Sequence, residues 1–303
     1  MVDLGVGRPL GGAFAKGGVV YIADTLLGLI RVCDLYTDKP RVELVASKVM
    51  MMMEEGEQGK GKVASSQILY ANDVDVGSVT GHVYFTDSST IVPERVGTRT
   101  WDTMTAFKQD YFRGKKSGRL LRYKPETDEV DILADGIWFA NGVAMDKDET
   151  FVMVTETSLA RQVKYHLKGS KENSLEVMVG EFPGYPDGGI CSRESGLCYT
   201  PLPSTALPII VMLGKTPDVV NAFFRTLFLM LPSSFLQMIK PVRYGGVVEI
   251  WPGDESSPST VTRILQDPHG KEIAMLTGVA VFDNKLYMGS LKNPFVGVYD
   301  LGE

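Results

Sequence analysis

An all-β fold built from a repeated unit is predicted for this 303-residue chain by three observations. The first is self-similarity: LGGAF at Leu10, NDVDV at Asn72, NGVAM at Asn141, DGGIC at Asp187 and TGVAV at Thr277 open five short runs in one register. The second is that roughly ten residues later each phrase meets another apolar run: VVYIAD, HVYFTD, TFVMVTE, GLCYTP and KLYMGS, reached through polar turns such as DKDET and SRESG. The third is a set of alternating, β-branched segments after most copies. GRLLRYKPETDEVDIL (Gly118 to Leu133) and ARQVKYHL (Ala160 to Leu167) read as hairpin strands. Units of about four strands are the blades of a β-propeller.

The copies start 62, 69, 46 and 90 residues apart, and insertions account for the unevenness. The whole chain, 1–303, is expected to form one propeller domain, with residues 47–67, 90–116 and 205–241 as insertions. Residues 47–67 hold a Met run followed by acids and Gly/Lys, which reads as a mobile loop. Because insertions in repeat proteins gather on one face and often cover the site, all three are lid candidates. The most apolar tract, Leu207 to Ile239, is broken by Lys215, Asp218, Arg225 and Pro232, so it holds no clean membrane span. From Val219 to Leu231 it predicts a helix. Core packing is the preferred reading, and peripheral membrane contact through 207–239 the alternative.

Composition narrows the function classes. Hydrophobic residues at 44% and charged residues at 22% are ordinary, and a net charge of −6 offers no electrostatic footprint for nucleic acid. Cys33, Cys191 and Cys198 lack the paired spacing of a zinc site. If CSRESGLC is a hairpin, Cys191 and Cys198 face each other. Two buried free thiols are the preferred reading, and a cross-strand disulfide the alternative. The opening MVDLGVGRPLGG lacks the pattern of a cleavable signal peptide.

In a propeller the innermost strands surround the axis, so the first residues of the phrases form a ring: Leu10, Asn72, Asn141, Asp187 and Thr277. Two carboxamides and a carboxylate in one register are the hard oxygen donors that Ca²⁺ prefers, and waters complete its roughly six to eight ligands. The competing reading is that Asn and Asp serve as turn and cap residues at strand starts. Recurrence in three units favours the metal.

Several longer phrases carry a family resemblance: VGRPLGGAF with VYIADTLLGLIRV, ANDVDV with GHVYFTDSST, SGRLLRYKPETDEVDILADGIWFANGVAM, FPGYPDGGI, KPVRYGGVVEI and NKLYMGSLKNPFVGVYDL. In this order they resemble the strictosidine synthase-like proteins, which include the adipocyte plasma membrane-associated proteins. The resemblance implies a six-bladed propeller related to Ca²⁺-dependent lactonases and esterases, with Asn72, Asn141 and Asp187 at metal-holding positions. It also implies a blade upstream of GRPLG whose GPES-like phrase adds a Glu ligand. Five phrases are visible where six are expected, so the first blade is predicted to be missing or incomplete here. Where paraoxonase-like relatives place a catalytic His the chain has Leu10. Where strictosidine synthase places its Glu it has Thr277 and Gly278, which disfavours condensation chemistry.

Three functions follow from these residues. The leading one is a Ca²⁺-dependent hydrolase of hydrophobic lactones or aryl esters, with Asp187 mainly a ligand and Asp73 the other carboxylate beside the ring. Asp73 also reads as a capping residue, and Asp75 is a weaker choice. A non-catalytic interaction or membrane-associated propeller is the second, and a condensing synthase the third. His82, His166 and His269 read as surface or structural residues, and Asp24 and Asp87 as satisfying turn backbone groups.

Overall fold

The computed structural model describes residues 6–52, 63–98, 100–206, 218–254 and 256–302. Within them the five phrases open five antiparallel sheets, each meandering outward from an innermost strand. Blade I comprises β1 (Pro9–Ala15), β2 (Val19–Asp24), β3 (Gly28–Cys33) and β4 (Arg41–Ala46). A hairpin of β5 (Lys48–Met52) and β6 (Val63–Gln67) follows. Blade II begins with β7 (Ala71–Val76) and β8 (Val83–Asp87). An excursion through a ribbon of β9 (Glu94–Arg95) and β10 (Trp101–Asp102) and helix α1 (Thr103–Arg113) precedes its outer strands, β11 (Gly118–Lys124) and β12 (Glu129–Ile137). Blade III is β13 (Ala140–Met145), β14 (Phe151–Glu156), β15 (Arg161–His166) and β16 (Leu175–Val179).

After β17 (Gly184–Tyr185), blade IV opens with β18 (Ile190–Cys191) and β19 (Cys198–Leu202), and β20 (Ser204–Thr205) pairs back with β17. Helices α2 (Asp218–Leu229) and α3 (Ser233–Met238) interrupt the blade before β21 (Gly245–Trp251) and β22 (Thr260–Asp267). Blade V has three strands, β23 (Leu276–Phe282), β24 (Lys285–Ser290) and β25 (Gly297–Asp300).

Period-2 alternation gives each sheet two apolar faces, and each face is buried against the next blade. Four such cores are present. Tyr21, Leu29, Val74 and Phe85 pack between blades I and II, and Tyr84, Leu120, Val143 and Val152 between II and III. Ala144, Met153, Cys191 and Val248 join III to IV, and Tyr199, Val247, Leu276 and Leu286 join IV to V. Between V and I the described residues form no core. There Phe14 on β1 is 71% exposed and Phe282 on β23 is 70% exposed. Five blades with apolar side chains at one opening agree with the predicted six-bladed plan.

The axis is crowded wherever two inner strands adjoin. A Cβ on Gly142 would lie 2.5 Å from the carbonyl carbon of Gly188, and one on Gly188 would lie 2.6 Å from the Thr277 carbonyl oxygen. At Gly11 a Cβ would meet Asp73 Oδ1 at 2.2 Å, so Asp73 takes the space that glycine leaves. Gly278 occupies the same place in blade V and has nothing within 4 Å, because its neighbour would lie across the opening.

Three expectations are corrected. Cys191 and Cys198 are joined as a disulfide rather than free, because they are direct partners across the β18–β19 ladder with Cα atoms 3.9 Å apart. The Met-rich segment reads as a loop, yet Lys48–Met52 is strand β5, paired with β6 and packed beside outer strand β12; residues 53–62 of that insertion lie outside the described residues. The helix expected to pack in the core is α2, but it leaves Val219, Phe223, Leu227 and Leu229 exposed. It lies on α1 above the blades, where only part of its circumference is covered.

Gly142→Ala is expected to lower stability by about 1–3 kcal/mol through backbone overpacking, and Gly278→Ala to be near neutral. Urea denaturation of the two variants checks this; equal losses would contradict the one-sided opening.

Candidate functional site

Inner strands of adjacent blades belong to different sheets and share no ladder; Gly142 N donates to the Asp187 carbonyl at 3.3 Å and Gly188 N to the Thr277 carbonyl at 3.1 Å, and side chains supply further links. Asn72 Nδ2 donates to Ser88 Oγ at 2.9 Å, and Ser88 Oγ donates to the Ala140 carbonyl at 2.5 Å. One blade on, Asn141 Nδ2 donates to Thr157 Oγ1 at 3.1 Å, and that hydroxyl donates to the Pro186 carbonyl at 2.8 Å. Each hydroxyl has one proton and gives it to a carbonyl, so towards the Asn it can only accept. The carboxamide nitrogen is therefore the atom held by the hydroxyl, and Oδ1 is the arm of each side chain left to accept; the Asn141 amide also hydrogen-bonds Asp187. Thr86 makes a parallel link, accepting from Asp73 N at 3.1 Å and donating to the Asn141 carbonyl at 2.6 Å.

Carboxylates complete the stitching. Asp73 Oδ2 accepts from Val143 N at 3.1 Å and Asp75 Oδ2 from Met145 N at 2.8 Å, tying β7 to β13. Asp75 also lies 3.4 Å from Arg193. At the ends of the second strands, Asp87 accepts from Leu69 N and Tyr70 N and pairs with Arg119. Glu156 accepts from Trp138 N and pairs with Arg161. Asp24 accepts from Leu26 N and Leu27 N, the turn role expected of it. Asp87 instead holds the chain entering its own blade.

Asn72, Asp73, Asn141 and Asp187 all line one cavity of about 870 Å³, with Leu10 and Thr277 also on its wall. Above them the wall is aromatic. Phe107 on α1 meets Phe139 edge-on at 4.9 Å and Tyr185 at 6.0 Å, and Tyr70 meets Phe139 at 5.3 Å. Helix α1 is set in place by its N-cap, Asp102, whose Oδ1 accepts from Thr105 N at 2.8 Å, and it ends at Gly114 with φ 67°. Insertions 90–116 and 205–241 contribute to the cavity; the described residues of 47–67 do not. His82 pairs with Glu126 and His166 with Glu176, both away from the cavity, and His269 sits in a loop.

Burial pushes the Asp73 carboxyl up to about 7, against the pull of the Val143 and Val74 N–H groups. Asp187 is also pushed up to about 7, first by burial and then by the charge of Asp73, while Asn141 and Gly188 hydrogen bonds act in the opposite direction. Among the described residues neither carboxylate has an ion-pair partner, and no three His, Cys, Asp or Glu side chains gather. The donors on this axis are two carboxylates and two oriented amide oxygens, a hard, all-oxygen set of the kind that suits Ca²⁺.

Sequence reasoning identified Asn72, Asn141, Asp187 and Asp73, and the fold brings these four to one cavity. It missed Ser88 and Thr157, although a signal was present: in TDS and TET a hydroxyl directly follows the acid that ends the second strand. The aromatic wall of Tyr70, Phe107, Phe139 and Tyr185 was also missed, because its members come from four distant segments.

The family model for strictosidine synthase matches residues 72–170, a span that includes both Asn–hydroxyl pairs. The Arabidopsis thaliana protein STRICTOSIDINE SYNTHASE-LIKE 10 is 31% identical over 296 residues, covering 97% of this chain and 70% of that protein. The chain belongs to the strictosidine synthase-like family. The adipocyte plasma membrane-associated protein of Salmo salar is 28% identical over 98% of this family member, which spans 64% of the salmon protein's length. Among solved structures, a putative gluconolactonase superposes with a TM-score of 0.53 at 14% identity, covering 93% of this chain and 71% of the other. That likeness establishes the propeller fold.

A carboxyl whose folded value lies above its unfolded 3.8 favours folding in its protonated form. The contribution is complete below about pH 4 and is lost as pH rises through about 7. In chelator, the melting temperature should fall between about pH 5 and pH 8, and Asp187→Asn should flatten that fall. Added Ca²⁺ should raise the melting temperature more at the higher pH; a larger rise at the lower pH would contradict the site. Ser88→Ala is expected to cost about 1–3 kcal/mol, because it leaves the Asn72 amide and the Ala140 carbonyl without partners.

Proposed function

We propose that this chain is a Ca²⁺-dependent hydrolase of lactones or aryl esters. The observation that carries the reading is the convergence of Asn72, Asn141, Asp187 and Asp73 at the base of one aromatic-walled cavity. Asn72, Asn141 and Asp187 would hold the cation, their oxygens aimed by the hydroxyl relays. Bound there, Ca²⁺ supplies Lewis-acid polarisation of a carbonyl. The aromatic wall orients the apolar part of the substrate and thins the water around the reacting carbonyl. Asp73, held by the Val143 and Val74 N–H groups, takes the proton of the attacking water and returns it to the leaving oxygen.

Calcium titration by calorimetry, run beside hydrolysis of a lactone and aryl ester panel, tests this. Asn141→Ala and Asp187→Ala should abolish both binding and turnover. Asp73→Asn should lower kcat by about 10²–10⁴-fold while leaving calcium bound. A folded chain that binds no calcium would overturn the reading and leave a non-catalytic propeller.

A further inference from the structure

Helices α2 and α3 are fastened to the molecule from below. Phe228 stacks on Phe112 at 4.5 Å, and the Arg225 guanidinium lies 4.6 Å from the Trp138 ring centroid. Lys108 Nζ on α1 donates to the Leu236 and Ile239 carbonyls, at 2.8 Å each, at the end of α3. Among the described residues nothing covers the opposite side. Val219, Phe223, Leu227 and Met230, 82%, 64%, 47% and 76% exposed, fall at i, i+4, i+8 and i+11. They form one stripe along α2 and just past its end, and Met238, the last residue of α3, is 73% exposed.

The charge around this stripe runs against that of the molecule. Residues 103–116 and 218–243 together hold seven Lys or Arg against two Asp, in a chain of net charge −6. Lys115, Lys116, Lys240 and Arg243 are exposed beside the helices. A second copy meeting this face through a two-fold axis would bring the two basic rims together, which costs energy. An anionic bilayer satisfies both features, taking the apolar stripe into its interface and attracting the rim.

We infer that the face formed by α2 and α3 docks on anionic membrane surfaces. Phe112, Phe228 and Ile239 both carry this face and line the central cavity. The docking surface is independent of the hydrolase reading, since it uses none of Asn72, Asp73, Asn141 or Asp187.

Co-sedimentation with phosphatidylcholine vesicles, with and without phosphatidylserine, tests the inference on the whole chain. Binding is expected to the anionic vesicles, falling as salt is raised. Phe223→Glu with Met230→Glu should weaken binding by tenfold or more, because both side chains lose their apolar burial in the bilayer. Lys115→Glu with Lys116→Glu should weaken it on the order of tenfold for the anionic vesicles. All four positions are exposed, so melting temperatures should stay near the unmodified value. Three results would each overturn the inference: no vesicle binding by the folded chain, binding unchanged in the Phe223/Met230 variant, or a dimer in size-exclusion chromatography that this variant makes monomeric.

Discussion

The inner strands of neighbouring blades lie side by side without a shared hydrogen-bond ladder, and the centre of this molecule is organised around that constraint. Apart from single backbone bonds such as Gly142 N to the Asp187 carbonyl and Gly188 N to the Thr277 carbonyl, backbone groups that a continuous sheet would pair take side-chain partners, which is why Asn, Asp, Ser and Thr gather where a core would otherwise be apolar. The relay from Asn72 through Ser88 to the Ala140 carbonyl does two things at once. It joins blade II to blade III, and by spending the hydroxyl proton on the carbonyl it fixes which end of the carboxamide is left to accept. Asn141, Thr157 and Pro186 repeat the device one blade on. Candidate ligands and structural stitches are thus the same residues.

A consequence is electrostatic. Burial raises the proton affinity of both Asp73 and Asp187, and the charge of Asp73 raises that of Asp187 further, in a cavity whose walls include aromatic side chains. Two such carboxylates are costly to ionise together, and they are eased by a proton or a cation. The molecule accepts that arrangement at the one place where Gly11 opens space for an extra carboxylate. Elsewhere around the axis the same position is glycine, and at Gly142 and Gly188 the strands approach backbone to backbone.

Legibility in the sequence followed the range of the interactions involved. Strands and blades were readable because alternation, turn residues and a fixed register are local features. Asn72, Asn141 and Asp187 were readable because equivalent positions in a ring must converge. Asp73 was ambiguous between cap and cavity residue, since its place depends on Gly11, some sixty residues earlier in the chain. The α2 helix was placed in the core because a run of Val, Phe and Leu looks the same whether protein or something else covers it. The Met run looked like a loop because its pairing partner, β6, lies beyond an intervening polar stretch.

By itself the sequence determined the all-β class, the repeat and the shared register of Asn72, Asn141 and Asp187, which rest on pattern and periodicity, and the family, which rests on the likeness of whole phrases. Only the tertiary structure decided the orientation of each carboxamide, the cavity's aromatic wall, the Cys191–Cys198 link and the exposed side of α2. These depend on which distant segments come into contact. A residue's chemistry limits what it can bond to, but the partner is chosen by packing of blades that no local stretch of chain contains.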